Sequence, residues 1–496
     1  MSVSIFAVPL LLMMAIVNRL AGRKRPQLIQ IVTVMAALLV IGLLASSIVT
    51  SAVTSGSWWR DDMISRGSLM TAGAVVLIVS LLETSPILIA ATCWSAGLLC
   101  LAGLSSLLMV QWAAIQFSIL PLLFYGVNCS QSPPRWQAVV TGAPQLILGS
   151  VLYAIGFVLI AMGDSTSTTF TIGVILNLCG MGGMLGWFPF PHVVEASSDS
   201  SHPGSLFGKR YLPALTAAVV TCRIIERNSL GPDQANLLIL AAFFSLALCG
   251  IRLAHEDRVS RRVLLSMLST FSFLLVAIFL QNWAWTHSGR NWQLSSNLPG
   301  GGELFVSIMI CETVALLAIV AGTHAVSPDA ESAEFCETLS GVVRQKPLLS
   351  LCLVLGLISL TGIPPCPGFW WRIMMPGLFL LPHRQSNVTE VMEADHSTIT
   401  LGVVIAVLVI VHAVGHLQWL HRLFLDSPFR IRDIPTGRRQ LLALASAFVL
   451  LGIVFLTPLS VSKVFDADPV TDASTVSLSR AQLNGFAGDG PDNSLY

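Results

Sequence analysis

The residues best able to do chemistry lie in and beside a break in an apolar stretch at positions 359–372, SLTGIPPCPGFWWR. The break is made by residues that interrupt a helix, namely Pro364, Pro365, Pro367 and Gly368, and Arg372 follows them. Prolines in a membrane helix leave carbonyl groups without donors, which is tolerated only beside protein or water. An arginine near the bilayer centre costs about 2.5–3.5 kcal/mol and therefore faces a partner, water or a pathway. The stretch predicts a broken membrane helix with a buried cation; the alternative is a loop whose arginine reaches a lipid headgroup.

Glu312 is a carboxylate that lies well inside an apolar stretch, in the segment ICETVALLAIV. A carboxylate stabilises a nearby buried cation, so Glu312 is the predicted counter-ion of Arg372. The alternative is a neutral, hydrogen-bonded carboxyl at a packed helix interface. Glu312 can exchange a proton, whereas the guanidinium of Arg372 keeps its charge.

His412 and His416 are four residues apart and therefore share one face of a helix. Imidazoles titrate near neutral pH, so this pair is a candidate proton relay. A metal would need a third ligand, and no metal site is predicted; a structural pair bonded to carbonyls or water is the alternative. Gln116 is a further candidate, although its neutral amide can hydrogen-bond but cannot hold a proton.

A second break is predicted at positions 187–203, WFPFPHVVEASSDSSHP, where Pro189 and Pro191 end a span. His192 there is a candidate gate or proton relay, with a cap or loop contact as the alternative. Two broken spans are typical of transporters built from two repeats, whose sites lie at discontinuous helices. Arg223 lies near the end of its span and is interpreted as a headgroup anchor.

These candidates must be positioned by membrane helices, because the composition excludes a soluble globular protein. The chain is 54% hydrophobic and 11% charged, whereas a soluble domain carries roughly a quarter charged residues. Its ten cysteines are scattered singly and predict neither disulfides nor a metal cluster. No phosphate-binding motif is present, and the longest polar segments are too short for a soluble catalytic domain.

The apolar runs divide into about fourteen spans of roughly 20 residues. The stretch 67–128 is the hardest to divide; we cut it into three spans at residues 83–86 and 103–106, and a different division leaves twelve or thirteen. We predict one membrane domain over residues 1–462, with its signature region at about 100–420, and a polar, disordered tail over residues 463–496. The predicted span centres lie near residues 11, 38, 76, 96, 116, 151, 178, 219, 244, 272, 313, 358, 407 and 450.

Basic residues predict the orientation, because they collect in the loops on the inner side of a membrane. Alternate loops are rich in lysine and arginine, and the other loops hold scattered charges such as Arg60, Asp61 and Asp62. Both termini are therefore predicted outside. The predicted inner-loop cations are Arg23, Lys24, Arg25, Arg135, Lys209, Arg210, Arg258, Arg261, Arg262, Arg344, Lys346, Arg430, Arg432, Arg438 and Arg439.

The break resembles the S-L-A-G-I-P-P-x-x-G-F-x-x-K signature of the proton-conducting antiporter-like membrane subunits of NADH:quinone oxidoreductase, most closely subunit N. Weaker similarities follow the family's order: SVLYAIGFVLIAMGDST at 150–166, the loop at 187–203, SRRVLLSMLS at 260–269 and LSGVVRQKPLLSL at 339–351. The resemblance covers nearly the whole chain. It implies fourteen helices in two inverted repeats, with broken helices in both.

The sequence departs from the family at the positions that handle protons. Glutamine replaces a glutamate at Gln116, and the twelfth-span lysine keeps its charge as Arg372. Arginine does not give up its proton as lysine can, so these substitutions argue against conduction by the family's usual route. The family's other lysines and a histidine fall on Met184 or Leu185, near Pro213 and on Phe271.

The resemblance implies a membrane subunit of a respiratory complex that couples electron transfer from NADH to quinone with proton translocation. It implies that this chain, part of a translocase, holds no redox centre, and that partner subunits bind NADH, FMN, iron–sulfur clusters and quinone. The expected location is a bacterial inner membrane, with both termini periplasmic. Two alternatives remain: a non-conducting scaffold, or a membrane subunit of a cation/proton antiporter or inorganic-carbon uptake assembly.

Overall fold

The computed structural model describes residues 3–22, 24–49, 54–55, 59–83, 85–128, 133–163, 167–185, 204, 206–227, 232–287, 301–326, 336–380, 396–425 and 437–465. Nearly all of these residues are helical. The helices are α1 (Ala7–Ala21), α2 (Pro26–Val49), α3 (Met63–Leu82), α4 (Pro86–Leu104), α5 (Leu108–Asn128), α6 (Pro133–Met162), α7 (Thr168–Leu185), α8 (Leu212–Arg227), α9 (Pro232–His255), α10 (Val259–His287), α11 (Gly301–Val326), α12 (Pro347–Thr361), α13 (Pro367–Leu380), α14 (His396–Leu425) and α15 (Arg438–Phe465). Short helical segments, Val3–Phe6, Phe207–Tyr211, Cys336–Leu339 and Val342–Gln345, lie between or before them.

The polytopic all-α fold predicted from the sequence is confirmed. Every predicted span centre falls within one of these helices, and α12 and α13 are the two pieces of the broken twelfth span. The three-way division of residues 67–128 is confirmed, since α3 ends at Leu82, α4 runs from Pro86 to Leu104, and α5 begins at Leu108. Within the described residues, seven helices are long and apolar enough to cross a membrane, and five shorter apolar helices accompany them.

The helices divide into inner and outer ones. The apolar windows of α3, α4, α10 and α11 are more than four-fifths buried, whereas those of α2 and α14 are 28% buried. A stretch that is apolar all round suits burial on every side, and an outer helix turns the same side chains toward lipid. Helix α11 packs against α3, α10, α12 and α15, so the carboxylate that it carries lies in the interior.

The break between α12 and α13 is closed by a Schellman motif. Gly362 adopts a left-handed φ of 73°, and its N–H donates to the carbonyl of Ser359 at 3.1 Å. The N–H of Ile363 donates to the carbonyl of Ile358 at 3.2 Å. These two bonds satisfy carbonyls at the end of α12, and glycine carries no Cβ to oppose the left-handed backbone.

Gly368, near the start of α13, lies against the end of α12. A Cβ at this position would lie 1.9 Å from the carbonyl oxygen of Ser359. The two helix ends can approach this closely only because residue 368 has no side chain.

We therefore expect Gly368→Ala to destabilise the fold by about 1–3 kcal/mol, because the backbone at the break must move apart to admit the methyl group. Thermal unfolding in detergent measures this effect. Gly452→Ala is the matched control, since a Cβ at Gly452 in α15 would have nothing within 4 Å. Equal unfolding temperatures for the two variants would contradict the prediction.

Arg223 is not the headgroup anchor that its position predicted. Its guanidinium is buried and forms two hydrogen bonds with the carboxylate of Asp62, at 2.6 and 2.7 Å, and a third with the carbonyl of Gly103 at 2.6 Å. Asp62, predicted to be a scattered loop charge, caps α3 by accepting from the N–H of Ser65 at 3.1 Å. One ion pair thus joins the beginning of α3, the end of α4 and helix α8. A short antiparallel pair of strands, β1 (Thr54–Ser55) and β2 (Arg60–Asp61), comes directly before Asp62 in the chain.

The Asp62 pair predicts a pH-dependent stability. Burial raises the pKa of Asp62, but the hydrogen bonds and charge of Arg223 outweigh it, so the pKa lies below its usual 3.8. Stability from this group is therefore fully present above 3.8 and is lost as the pH falls through the lower, folded-state pKa. Asp62→Asn should be less stable than the wild type near neutral pH, and this difference should shrink below pH 3.8. Unfolding temperatures between about pH 2.5 and 7 test it.

Asp257→Asn is the control for this pH series, because the Asp257 carboxylate pairs with Arg422 while 52% exposed. Exposed ion pairs contribute about 0–1 kcal/mol, so this substitution should change little at any pH. A stability loss in Asp62→Asn that is the same at every pH would overturn the assignment to the charged carboxylate.

Candidate functional site

Arg372 and Glu312 form a buried ion pair inside the helix bundle. Nη2 of Arg372, on α13, donates to Oε1 of Glu312, on α11, at 2.9 Å. The two side chains are 2% and 1% exposed. The predicted counter-ion is therefore the observed one, and the alternative in which Arg372 reaches a headgroup is wrong.

The break in the helix determines where the arginine lies. Nη1 of Arg372 donates to the carbonyl of Ser359 at 2.8 Å, at the end of α12. The guanidinium also lies over aromatic rings, with Cζ 4.5 Å from the centre of the Trp371 ring and 5.7 Å from that of Phe273. A carbonyl at the negative end of a helix and two aromatic faces favour a permanent positive charge at this point.

Glu312 also lies within reach of hydroxyl groups on neighbouring helices. Oγ1 of Thr270 on α10 lies 3.4 Å from Oε2 of Glu312. The adjacent Thr313 is hydrogen-bonded to the hydroxyl of Tyr211 at 2.8 Å. Glu312 is thus a protonatable group held between a fixed cation and hydroxyls, which are the groups that carry protons through hydrogen bonds.

The histidine pair faces helix α10. Nε2 of His412 is 2.6 Å from the hydroxyl of Ser269, and Nε2 of His416 is 3.5 Å from that of Ser266. The two imidazole rings lie edge to face with their centres 4.7 Å apart. Both are buried, and in the described part of the chain Nδ1 of each ring has no hydrogen-bond partner. The groups that the two Nε2 atoms contact are serine hydroxyls, whereas the structural alternative had named carbonyls or water.

Arg262 continues this arrangement toward the start of α10. It was predicted to be an inner-loop cation, but it is buried, and its Nη1 donates to the carbonyl of Gly415 at 3.2 Å. Its Nε donates to the carbonyl of Glu256, and its Cζ lies 5.7 Å from the centre of the Trp419 ring.

The second half of the chain therefore contains a polar line, a sequence of buried polar groups on α10, α11, α13 and α14. The link between His412 and Arg372 passes Phe273, whose ring centre lies 5.3 Å from that of His412 and 5.7 Å from Cζ of Arg372. Proton transfer over this link needs a bridging water. The polar line consists of Arg262, Ser266, His416, Ser269, His412, Arg372, Glu312 and Thr270.

The first half of the chain presents different groups. Gln116 of α5 accepts a hydrogen bond from the hydroxyl of Ser150 on α6. Met184 is fully buried near the end of α7, and its carbonyl accepts from Nη1 of Arg210 at 3.3 Å. Lys209 and Arg210, predicted to be inner-loop cations, are both buried. The predicted break at Pro189 and Pro191, and His192 with it, lie outside the described residues.

Several members of the polar line carried no separate signal in the sequence. Ser266, Ser269 and Thr270 follow the spacing of one helix face, yet short hydroxyls are common in membrane helices and read as packing residues. Arg262 stands in a basic cluster at a span end, which predicts a loop. As for metals, the described residues contain no group of three histidine, cysteine, aspartate or glutamate side chains placed to hold one.

Comparison with known proteins finds sequence relatives that share one name. No family model matches the chain. NADH-quinone oxidoreductase subunit N of Nitrosomonas europaea is 24% identical over 277 residues, which are 55% of this chain and 51% of that protein. The chain thus spans about half the length of the curated relatives it matches.

Solved structures extend the likeness across nearly the whole chain. A chain of respiratory complex I from Thermus thermophilus has a TM-score of 0.68 at 17% identity, covering 92% of this chain and 98% of that one. A chain of the Mrp complex from a Dietzia species has a TM-score of 0.66 at 15% identity, covering 94% and 98%. The chain therefore has the polytopic fold of these membrane-complex chains, and its sequence is similar to NADH-quinone oxidoreductase subunit N.

Proposed function

We propose that this chain is a membrane subunit of an NADH:quinone oxidoreductase-type complex and that it couples electron transfer in partner subunits to proton translocation. The name of the sequence relatives, NADH-quinone oxidoreductase subunit N, supports the part of the proposal that concerns redox partner subunits. The fold shared with a chain of complex I supports the role as a membrane subunit. NADH, FMN, iron–sulfur clusters and quinone would be held by the partners. This chain would supply a proton path.

The observation that carries the proposal is the Glu312–Arg372 ion pair at the broken helix. Glu312 can take up and release a proton while Arg372 stays charged. The two states of Glu312 therefore differ in net charge beside a fixed cation, and a charge change elsewhere in the complex can bias one over the other. The hydroxyls and imidazoles of the polar line provide partners for the transferred proton.

The proposed location is a bacterial inner membrane with both termini periplasmic. The basic residues that do remain exposed at helix ends support this orientation. This orientation can be checked in intact cells with single cysteines placed in successive loops. Cysteines in alternate loops should react with a reagent that does not cross the membrane. Among the predicted inner-loop cations that the structure describes, Lys24, Arg25, Arg344, Arg438 and Arg439 are exposed.

A second candidate is a membrane subunit of a cation/proton antiporter assembly, favoured by the fold shared with a chain of the Mrp complex. In that case the same buried pair would respond to a sodium or potassium gradient instead of to a redox reaction. Gln116 and Met184, neither of which can titrate, favour a non-conducting scaffold instead.

Purification of the intact assembly through a tag on this chain separates these possibilities. We expect dehydrogenase subunits to copurify, and NADH with a soluble quinone to drive proton uptake into proteoliposomes that contain the assembly. A sodium gradient that drives proton movement without NADH would select the antiporter. NADH oxidation with a proton-to-electron ratio that does not change when this chain is removed would select the scaffold.

A further inference from the structure

The two halves of the chain share a contact between an arginine and the carbonyl end of a helix. In the second half, Nη1 of Arg372 donates to the carbonyl of Ser359, two residues before the end of α12, at 2.8 Å. In the first half, Nη1 of Arg210 donates to the carbonyl of Met184, one residue before the end of α7, at 3.3 Å. In both cases the arginine follows the residue whose carbonyl it contacts, by 13 and 26 residues.

The last carbonyls of a helix have no partner within it, and they form the negative end of its dipole. A guanidinium satisfies both requirements at once, because it donates hydrogen bonds and carries a charge that does not titrate. Both arginines are buried: as whole residues, Arg372 is 3% exposed and Arg210 is 6% exposed. Inside a membrane protein such a cation stays only where the surroundings stabilise it.

The turn that carries Arg210 is held in place by contacts of its own. The π-helical turn Phe207–Tyr211 leads into α8, and the hydroxyl of Ser95 on α4 donates to the carbonyl of Gly208 at 3.0 Å. A Cβ at Gly208 would lie 2.5 Å from Oγ1 of Thr92, so the turn lies directly on α4. These contacts fix the direction from which Arg210 approaches α7.

The same turn is joined to the second half of the chain. The hydroxyl of Tyr211 is 2.8 Å from Oγ1 of Thr313, next to Glu312. Thr313 donates to its own helix, at the carbonyl of Met309, so Tyr211 is the donor in this bond. The cation at the end of α7 is therefore tied to the helix that carries the carboxylate.

We infer that Arg210 is the first-half counterpart of Arg372, a positioning residue that caps α7 and keeps a permanent positive charge at its carbonyl end. The side chain of Met184 carries no charge, and Arg210 supplies one that does not titrate at the same helix end, from the next helix. Its effect on proton flux rests on the proposed function. The capping of α7 does not.

Hydrogen exchange of the purified assembly tests the capping, with Arg210→Met and Arg210→Lys compared with the wild type. Arg210→Met should make the amides of residues 180–185 exchange at least tenfold faster, because the end of α7 loses its donor. Arg210→Lys should keep them protected near pH 7 and lose that protection, relative to the wild type at the same pH, as the pH rises toward 10. A buried lysine can lose its proton, whereas arginine does not.

Arg438→Met is the matched control, because Arg438 is an exposed cation at the start of α15 and its loss should leave residues 180–185 unchanged. Unchanged exchange in Arg210→Met would overturn the inference. If Arg210→Met does not accumulate, protection in Arg210→Lys that follows the wild type at every pH would overturn it instead. Changed exchange without any change in proton flux would uphold the capping and contradict the proposed function alone.

Discussion

Replacing Arg372 by alanine is expected to destabilise the folded protein by about 3–5 kcal/mol, as is typical when one partner of a buried ion pair is removed. The substitution leaves the carboxylate of Glu312 buried beside no cation. It also removes a donor from the carbonyl of Ser359 and the charge that lies over the rings of Trp371 and Phe273. Reversible unfolding in mixed micelles measures the loss.

Two further variants separate the ion pair from simple loss of side-chain volume. Arg372→Ala combined with Glu312→Gln should be more stable than Arg372→Ala alone, because the second substitution removes the uncompensated charge. Arg422→Ala breaks an exposed pair with Asp257 and should cost less than about 1 kcal/mol. If the double variant is as unstable as the sum of its single variants, the two side chains are not coupled and the pair does not stabilise the fold.

Replacing Glu312 by glutamine is expected to reduce coupled proton flux at least tenfold, which corresponds to about 1.4 kcal/mol of barrier. Glutamine keeps the size and the hydrogen-bonding capacity of the side chain but cannot carry a proton. Arg372 retains a hydrogen-bond acceptor at residue 312, so the assembly should still form. Flux into proteoliposomes is measured per NADH oxidised, after assembly has been checked by size.

Glu83→Gln is the control for this substitution. It changes a buried carboxylate at the end of α3, outside the polar line, to the same amide. Flux close to that of the wild type is expected. A Glu312→Gln assembly that forms normally and moves protons at the wild-type rate would show that this chain is a scaffold.

Much of the fold follows from the sequence because the signals involved are local. A membrane-spanning helix needs about 20 apolar residues, so the lengths of the runs locate the helices without any tertiary information. Proline and glycine locate the break at residues 359–372 by the same local means. The pairing of Arg372 with Glu312 was also predictable, because a cation deep in a membrane demands a partner and the apolar spans offer few carboxylates.

Other parts of the site depend on which helices are neighbours, and local patterns carry no record of that. Asp62 and Arg223 are 161 residues apart, and each lies at a span end, where a charge normally meets water or a headgroup. The same reasoning placed Arg210 and Arg262 in loops, although the bundle buries both.

The sequence by itself determined the helices, the broken twelfth span and the presence of a buried charge pair, since each follows from the cost of placing polar groups in lipid. Only the tertiary structure decided which hydroxyls of α10 meet His412 and His416, and that Arg210 meets the end of α7. Hydropathy shows that a polar group needs a partner. Which residue becomes that partner depends on how helices far apart in the sequence pack together.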